Sequence, residues 1–304
     1  MFENFHKTPR NSDIELNENP KRIQQDVKDL RDWLKHQKHL KSKDDDQYLL
    51  GVLRRCKFSI EKAKRKLEIH YTTKGFAPDM FVGRDPFKKS IQSILTTKTI
   101  FVHTPLLLPT VYYVYWNNIE DMQISITEAA QMFFMNMDIL INENDSFTIN
   151  SFYFIVDFKD VPLKAFLKWD ISLVKKFLTI VNSYPMRIKH LIILNSNPVF
   201  EKIYNILKIA LSEKLQQKVI LVQKENSNKL FEIVPRNLLP EELGGTIGNW
   251  DKLIAEWKDK VESYQTWFKD NEKFKSYEEL RVGKAKTQSE IFGVEGSFRK
   301  LDCD

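Results

Sequence analysis

Apolar residues recur at steps of three and four through three early stretches. Ile23, Val27, Leu30, Trp33 and Leu34 form one stripe, Tyr48, Leu49, Val52, Leu53 and Cys56 a second, and Ile60, Ala63, Leu67 and Tyr71 a third. Such spacing puts each set on one side of an α-helix. Asn19 is placed to cap the first helix, with Pro20 at the first position where its missing N–H costs nothing. The charged stretch KHQKHLKSKDDD ends that helix, Asp45 or Asp46 starts the next, and Ser59 caps the third. A small helical unit is predicted over residues 19–75, behind a polar, flexible lead at 1–18.

After Gly75 the pattern changes. Thr110–Trp116 (TVYYVYW) is rich in β-branched and aromatic residues and reads as a strand. Ile149–Phe158 and Met186–Leu194 are nearly continuous apolar runs, as expected of strands covered on both faces, and Lys218–Val222 is a further short strand. Helical stretches separate them: Thr127–Ile141, Pro162–Tyr184 with a break near Asp170, and Pro198–Gln216. Asn249–Asn271 forms a late helix. Alternating strands and helices predict an α/β domain with a mostly parallel sheet over 76–272. A charged tail, 273–304, closes on the small cluster IFGVEGSF and is expected to pack back on the domain.

Composition removes whole classes of function. The chain has 304 residues, and 47 lysines and arginines against 41 acidic residues leave a net charge of +6. That suits an anionic surface but not a nucleic-acid tail. The nine glycines are about 3% of the chain, against an average near 7%, and none lies between Arg84 and Leu243. Phosphate-cradling loops need glycine for close backbone approach, so a P-loop, a dinucleotide fingerprint and a G-x-S-x-G elbow are all excluded from the middle of the chain. Two cysteines, Cys56 and Cys303, argue against a disulfide scaffold. The first residues lack the apolar core of a secretory signal, and the longest nearly apolar stretch, Thr104–Trp116, is too short to cross a bilayer. A soluble, cytoplasmic chain is expected.

Catalytic chemistry finds little support. His36 and His39 lie three apart but among lysines, so a solvated helix is favoured over a metal site. His190, inside a strand, reads as a hydrogen-bonded structural residue, and Cys56 as core. Asp157 ends a buried strand where α/β folds place functional groups, yet it has no partner at a recognisable spacing, and structural capping is the better reading. No catalytic residue, metal site or cofactor is expected. Basic residues carry more. Arg187 and Lys189 bracket Ile188, so strand alternation aims both to one side. Lys214 and Lys218 share a face if their turn is helical. The two pairs could converge on a phosphate or anionic headgroup, although taken alone a solvated basic face is the ordinary reading. The aromatic load, Phe133, Phe134, Phe152, Phe154, Phe158, Phe166, Trp169, Phe177 and Phe200, fits either plain core or the lining of a large apolar pocket.

LPEELGG, Leu239–Gly245, resembles the most specific signature of the CRAL-TRIO lipid-binding family. SYPMRIKHLIILNSNPVF (Ser183–Phe200) is similar to that family's segment leading into its gate helix. DDQYLLGVLRRCKFSIEKAKRKLE (Asp45–Glu68) looks like its N-terminal helical unit. The closing FGVEGSFRKLD resembles arthropod members akin to the α-tocopherol transfer and cellular retinaldehyde-binding proteins. The resemblance implies a CRAL-TRIO sandwich with a mobile gate helix, holding one hydrophobic ligand and performing no chemistry. Arg187, Lys189, Lys214 and Lys218 fall on the family's phosphoinositide-binding positions. A further arginine of that site falls on Cys56, for which Arg55 or Lys57 could substitute. Ser151 and Asp160 stand where the family usually has glycine.

The expected function is therefore transfer of a tocopherol- or retinoid-like molecule between membranes, by a monomer that contacts an anionic, phosphoinositide-bearing surface peripherally. Pocket candidates are Phe133, Phe154, Phe158, Phe166, Trp169, Phe177, Val181, Ile188 and Leu191. The gate would present Phe200, Ile203, Tyr204, Leu207 and Leu211 along one stripe. The carrier reading calls for a void of a few hundred cubic ångströms. The alternative is a phosphoinositide-sensing scaffold with a degenerate pocket; a lipid isomerase is a third class, lacking an evident acid–base pair.

Overall fold

The structure, a computed structural model, describes residues 16–105, 108–143, 147, 149–166 and 168–293. Most of the expected lead, His6, Cys303 and the closing motif beyond Gly293 lie outside the described residues.

Helix α1 (Ile23–His36) starts later than Asn19 and Pro20 suggest. Asn19 instead closes a preceding turn, its carbonyl accepting from the Arg22 N–H at 2.8 Å and its side chain from the Lys21 N–H at 3.1 Å. Arg22 takes the N-cap position without a side-chain cap, so α1 begins where its buried stripe begins, at Ile23. Helix α2 (Asp46–Arg55) opens on Asp45, whose carboxylate accepts the Tyr48 N–H at 2.9 Å. Helix α3 (Ile60–Gly75) has Ser59 at its N-cap position, but that hydroxyl makes no capping bond. Lys57 and Phe58, at φ 53° and 55°, form the tight left-handed corner between α2 and α3. His39 is not a solvated helical residue. The helix ends at His36, and His39 is buried with its Nε2 2.9 Å from Glu68 Oε2.

Helix α4 (Lys89–Thr96) leads into a five-stranded sheet of β1 (Ile100–His103), β2 (Thr110–Tyr115), β3 (Phe152–Asp157), β4 (Ile188–Ser196) and β5 (Val219–Gln223). The strands lie in chain order; β1 is antiparallel to β2 and the other neighbours are parallel. The sequence reading misses β1, because IFVH is only four residues long and shows no usable period. Helices α5 (Ile126–Glu143) and α6 (Ile171–Ser183) flank β3 in the chain, and Asp170 caps α6 by accepting the Ser172 and Leu173 N–H groups. After β4 comes α7 (Pro198–Leu207), capped by Asn197, and then the short α8 (Glu213–Gln216). The expected single helix Pro198–Gln216 is therefore divided. Leu211 and Ser212 are extended, and the Ser212 hydroxyl accepts the Leu215 N–H to start α8 anew. The late helix is likewise two, α9 (Trp250–Ser263) and α10 (Gln265–Asn271), and α11 (Gln288–Phe292) ends the described chain.

Strand alternation gives the sheet two apolar faces. Tyr112, Val114, Phe154, Leu191 and Ile193 join the larger core with α5, α6 and α7. Val111, Tyr113, Tyr153, Ile155 and Ile192 join a second core with Leu238, Leu239, Trp250 and Ile254. The helices before the sheet are tied to α5, the end of α6 and α10 by a buried polar cluster. Asp138 of α5 accepts from Arg84 Nη1 at 2.8 Å, from the Tyr184 hydroxyl at 2.6 Å and from Asn271 Nδ2 at 3.1 Å, while Lys74 Nζ donates to the Asn271 carbonyl at 3.0 Å. Burial pushes the Lys74 ammonium down to about 7, even with Asp138 nearby.

Candidate functional site: a dry hollow beside a cationic one

Two hollows flank the α7–α8 segment. The first lies between the sheet and α7 and encloses about 150 Å³. Its floor is one face of the sheet: Tyr112 and Val114 from β2, Phe154 and Val156 from β3, Leu191 and Ile193 from β4. Phe133 of α5 and Phe177 of α6 form its walls, with Trp116 and Trp169. Phe200, Tyr204, Leu207 and Leu211 close it from α7 and the turn beyond. No charged side chain is among these lining residues, so water gains little by entering. The aromatic rings converge. Phe133 lies 5.1 Å from Phe154 and 5.3 Å from Phe177, and Phe158 lies 4.7 Å from Phe200, centroid to centroid. These rings occupy much of the space that the carrier reading calls for, and the void is smaller than the few hundred cubic ångströms expected.

The outer side of the closing segment differs. Phe200 and Leu207 are buried, whereas Ile206 and Ile209 are 51% and 52% exposed. A helix with apolar groups on both sides can cover a dry hollow and meet lipid at once.

The second hollow, about 790 Å³, lies where α2, α3, the end of α6, the α7–α8 segment and α11 meet. Its lining includes Arg55, Lys57, Lys62, Arg65 and Lys66 from the helices before the sheet, and Arg187, Lys214 and Lys218 from the α/β part. Glu290 is the only acidic residue among the described lining residues. The Lys218 ammonium donates to the Ile188 carbonyl, and Arg187 Nη1 donates to the Ile149 carbonyl at 3.0 Å. Burial, then the neighbouring charges of Lys214 and Arg187, lower the Lys218 pKa below the ordinary lysine value. A like-charged cluster of this kind lowers its own energy by taking in an anion.

Against this geometry the comparisons with known proteins fall into place. Residues 108–245 match the CRAL/TRIO domain, and residues 19–91 match the Pinta-like UBA domain. Residues 108–245 are a CRAL/TRIO domain. The chain is 29% identical over 247 residues to the alpha-tocopherol transfer protein-like protein of Mus musculus, covering 80% of this chain and 70% of that one. It is 26% identical over 248 residues to clavesin-1 of Xenopus laevis, covering 78% and 72% respectively. The crystal structure of Sfh5 shares the fold at a TM-score of 0.52 and 14% identity, over 82% of this chain and 92% of that one.

Within this CRAL/TRIO domain, LPEELGG does not touch the dry hollow. Leu238 and Leu239 fill the second core, Gly244 sits at φ 74°, and a Cβ on Gly245 would fall 1.8 Å from the Leu239 carbonyl oxygen. The signature reports a tight turn feeding α9, whose first N–H, that of Trp250, donates to Glu242 at 2.9 Å. Asp160, in place of the family's usual glycine, adopts φ 61°, the left-handed backbone that glycine takes most easily. Asp157 is buried at the end of β3. It accepts from the Tyr113 hydroxyl, the Asn195 amide and the Lys159 N–H at 2.6, 2.6 and 2.7 Å, which is a structural clamp.

The structure distributes the candidate residues as follows. Phe133, Phe154, Phe158, Trp169, Phe177 and Leu191 line the dry hollow, whereas Phe166 packs behind it, its ring 5.1 Å from Phe158. Val181 and Ile188 face the cationic hollow instead. Phe200, Tyr204, Leu207 and Leu211 line the dry hollow, and Ile203 packs half-buried beside them. Arg187, Lys214 and Lys218 meet in the cationic hollow, joined by Arg55 and Lys57 beside Cys56.

Lys189 is not with them. A bulge in the β3–β4 register pairs Phe152 with Ile188 but Tyr153 with His190, and the extra residue, Lys189, turns to the opposite face over the Tyr153 ring, 5.0 Å from its centroid. Simple alternation fails at a bulge. His190 has its ring against Tyr153 and a hydrogen bond to the Lys218 backbone, in keeping with the structural role expected, while its buried Nδ1 has no hydrogen-bond partner among the described residues. Burial pushes the Cys56 thiol pKa up, as suits an unreactive residue at the edge of the core. Sequence reasoning missed Lys62, Arg65 and Lys66, although their i, i+3, i+4 spacing on a helix was a readable signal. No metal-binding cluster occurs among the described residues, and no described helix is long and apolar enough to cross a membrane.

Proposed function

We propose that this protein carries one hydrophobic small molecule, tocopherol- or retinoid-like, between membranes without altering it chemically. The observation that carries this reading is the charge-free hollow beneath a helix that exposes Ile206 on its outer side, with Ile209 exposed in the turn that follows. A guest hiding roughly 500 Å² of apolar surface gains about 12 kcal/mol at ~25 cal/mol per Å², before ordering costs. It leaves a bilayer only for an equally dry site, so α7 acts as a lid that opens at the membrane. The likeness to a tocopherol transfer protein-like relative supports the ligand class. The cationic hollow takes a phosphoinositide headgroup, and its occupation promotes opening. The protein works as a monomer, peripherally and transiently on membranes. Residues 19–75 form a helical unit and 76–272 the lipid-binding unit; the described part of the tail, 273–293, is fastened chiefly to the helical unit, the Tyr277 N–H donating to the His39 carbonyl at 2.7 Å and Arg281 pairing with Glu68 at 2.7 Å.

At about 150 Å³ the hollow is below the roughly 300 Å³ of an ordinary ligand pocket, so loading requires the converging rings and α7 to move aside. The same dimension favours a second reading, a phosphoinositide sensor whose apolar pocket is filled by its own side chains. Native mass spectrometry of the purified full chain, before and after incubation with a tocopherol and a retinoid, separates the two. The carrier reading expects a one-to-one complex; a bare protein under all conditions favours the sensor.

A further inference from the structure

Leu211 and Ser212 stand where the two hollows meet. Among the described residues, Leu211 is the one that lines both. It is buried, and it follows a 3₁₀ turn, Lys208–Ala210, that ends the lid. Leu211 (φ −95°, ψ 144°) and Ser212 (φ −59°, ψ 151°) are both extended, so the lid and α8 meet at a joint rather than in one rigid helix. The joint is held from either side. Leu211 gives its carbonyl to Gln216 Nε2 at 3.0 Å, and the Ser212 N–H donates to Asn182 Oδ1 at 3.5 Å. Asn182 in turn gives its backbone carbonyl to the Lys66 ammonium at 2.9 Å.

Lys66, Arg187 and Lys218 thus each donate to a neutral backbone carbonyl at the edge of this joint. A phosphate is the stronger acceptor for all three. Its arrival shifts Lys66 from Asn182 and Lys218 from Ile188, loosening the grip on Ser212 while Lys214 and Lys218, on the far side of the joint, are drawn inward. We infer that the Leu211–Ser212 joint is the element that transmits occupation of the cationic hollow to the lid over the dry one. Leu211 is a positioning residue, the shared wall through which one hollow senses the other. The inference rests on the carrier reading above and adds the route of coupling.

The test loads the full chain with a fluorescent tocopherol analogue and follows its release into phosphatidylcholine vesicles with or without phosphatidylinositol bisphosphate. Ser212→Pro suits the observed φ of −59°, and Leu211 already has the extended backbone that a following proline demands, so the fold is kept while the N–H that Asn182 holds is lost and the joint is freed from that grip. Ser212→Ala keeps the N–H and controls for the lost hydroxyl cap. Wild type and Ser212→Ala are expected to release about tenfold faster into the bisphosphate vesicles, whereas Ser212→Pro, already freed from Asn182, is expected to release at the fast rate into either vesicle, the two differing by less than about twofold, with vesicle binding unchanged in all three. Leu211→Ala is expected to leak into either vesicle and lose the difference between them. Acceleration retained in either Ser212→Pro or Leu211→Ala, or lost in Ser212→Ala, overturns the joint and leaves the carrier reading standing. Failure of wild type to take up the analogue, or to respond to the bisphosphate, overturns the carrier reading and the inference with it.

Discussion

The two hollows are neighbours built on opposite principles. The dry one is assembled from regular elements, chiefly strands and helices whose periodicity turns apolar groups inward, and its energetics are those of packing. The cationic one gathers loop corners, helix ends and the α7–α8 segment from widely separated parts of the chain, and its energetics are those of like charges brought close together. One wall, Leu211, is common to both. The difference teaches that a charge-free hollow and a cationic one can be built a few side chains apart without either compromising the other.

The sharpest way to break this separation is to reverse charge in the cationic hollow. Each lysine near an anionic surface contributes about 1 kcal/mol, so Lys214→Glu with Lys218→Glu, counting removal and reversal, weakens binding to bisphosphate-containing vesicles about 100-fold or more. Co-sedimentation measures that loss. The melting temperature holds or rises, because the repulsion among Lys218, Lys214 and Arg187 is relieved, and uptake of a tocopherol analogue is unchanged. Loss of uptake together with vesicle binding would show that the hollows are one site.

The converse variant fills the dry hollow. Ala130 is buried on α5 and lines it. Ala130→Phe overpacks the wall at a cost of about 1–3 kcal/mol in stability, read by denaturant unfolding. It reduces uptake of the analogue about tenfold by steric clash while leaving vesicle binding within about twofold. Equal uptake by this variant would place the ligand elsewhere.

The same contrast explains what was legible in the sequence. Strands β2 to β5 and helices α5 to α7 announced themselves because burial on a sheet face or helix side imposes a period, and much of the dry hollow followed from it. Tyr112 and Val114 were passed over because a strand pattern gives alternation but not which face will be hollow. The cationic hollow has no period. Lys62 and Lys66 reach Lys214 and Lys218 only through tertiary packing, and Arg187 and Lys189 were parted by a single inserted residue in the β3–β4 ladder. The LPEELGG turn was legible for the opposite reason. Gly245 has no room for a side chain, so the motif reports local geometry and identifies the fold while lying off the ligand site.

The smallest expected effect is a pH dependence that separates headgroup affinity from stability. The Lys218 pKa lies below the usual lysine value, first through burial and then through Lys214 and Arg187. An anion binds the protonated form, so affinity for bisphosphate vesicles falls as pH rises through that lowered pKa, before ordinary surface lysines lose charge. Loss of one such charge weakens binding about fivefold, corresponding to about 1 kcal/mol. Stability moves the other way. A lysine with a depressed folded pKa binds its proton more tightly when unfolded, so its penalty on the fold diminishes as pH climbs from the folded toward the unfolded value. Vesicle binding by Lys218→Met at pH 7 to 10 should be weaker at the start and flatter, while its unfolding free energy should exceed wild type at pH 7 and converge with it near pH 10. Parallel slopes in the variant and wild type would show that another cation, Lys214 or Lys66, holds the headgroup instead.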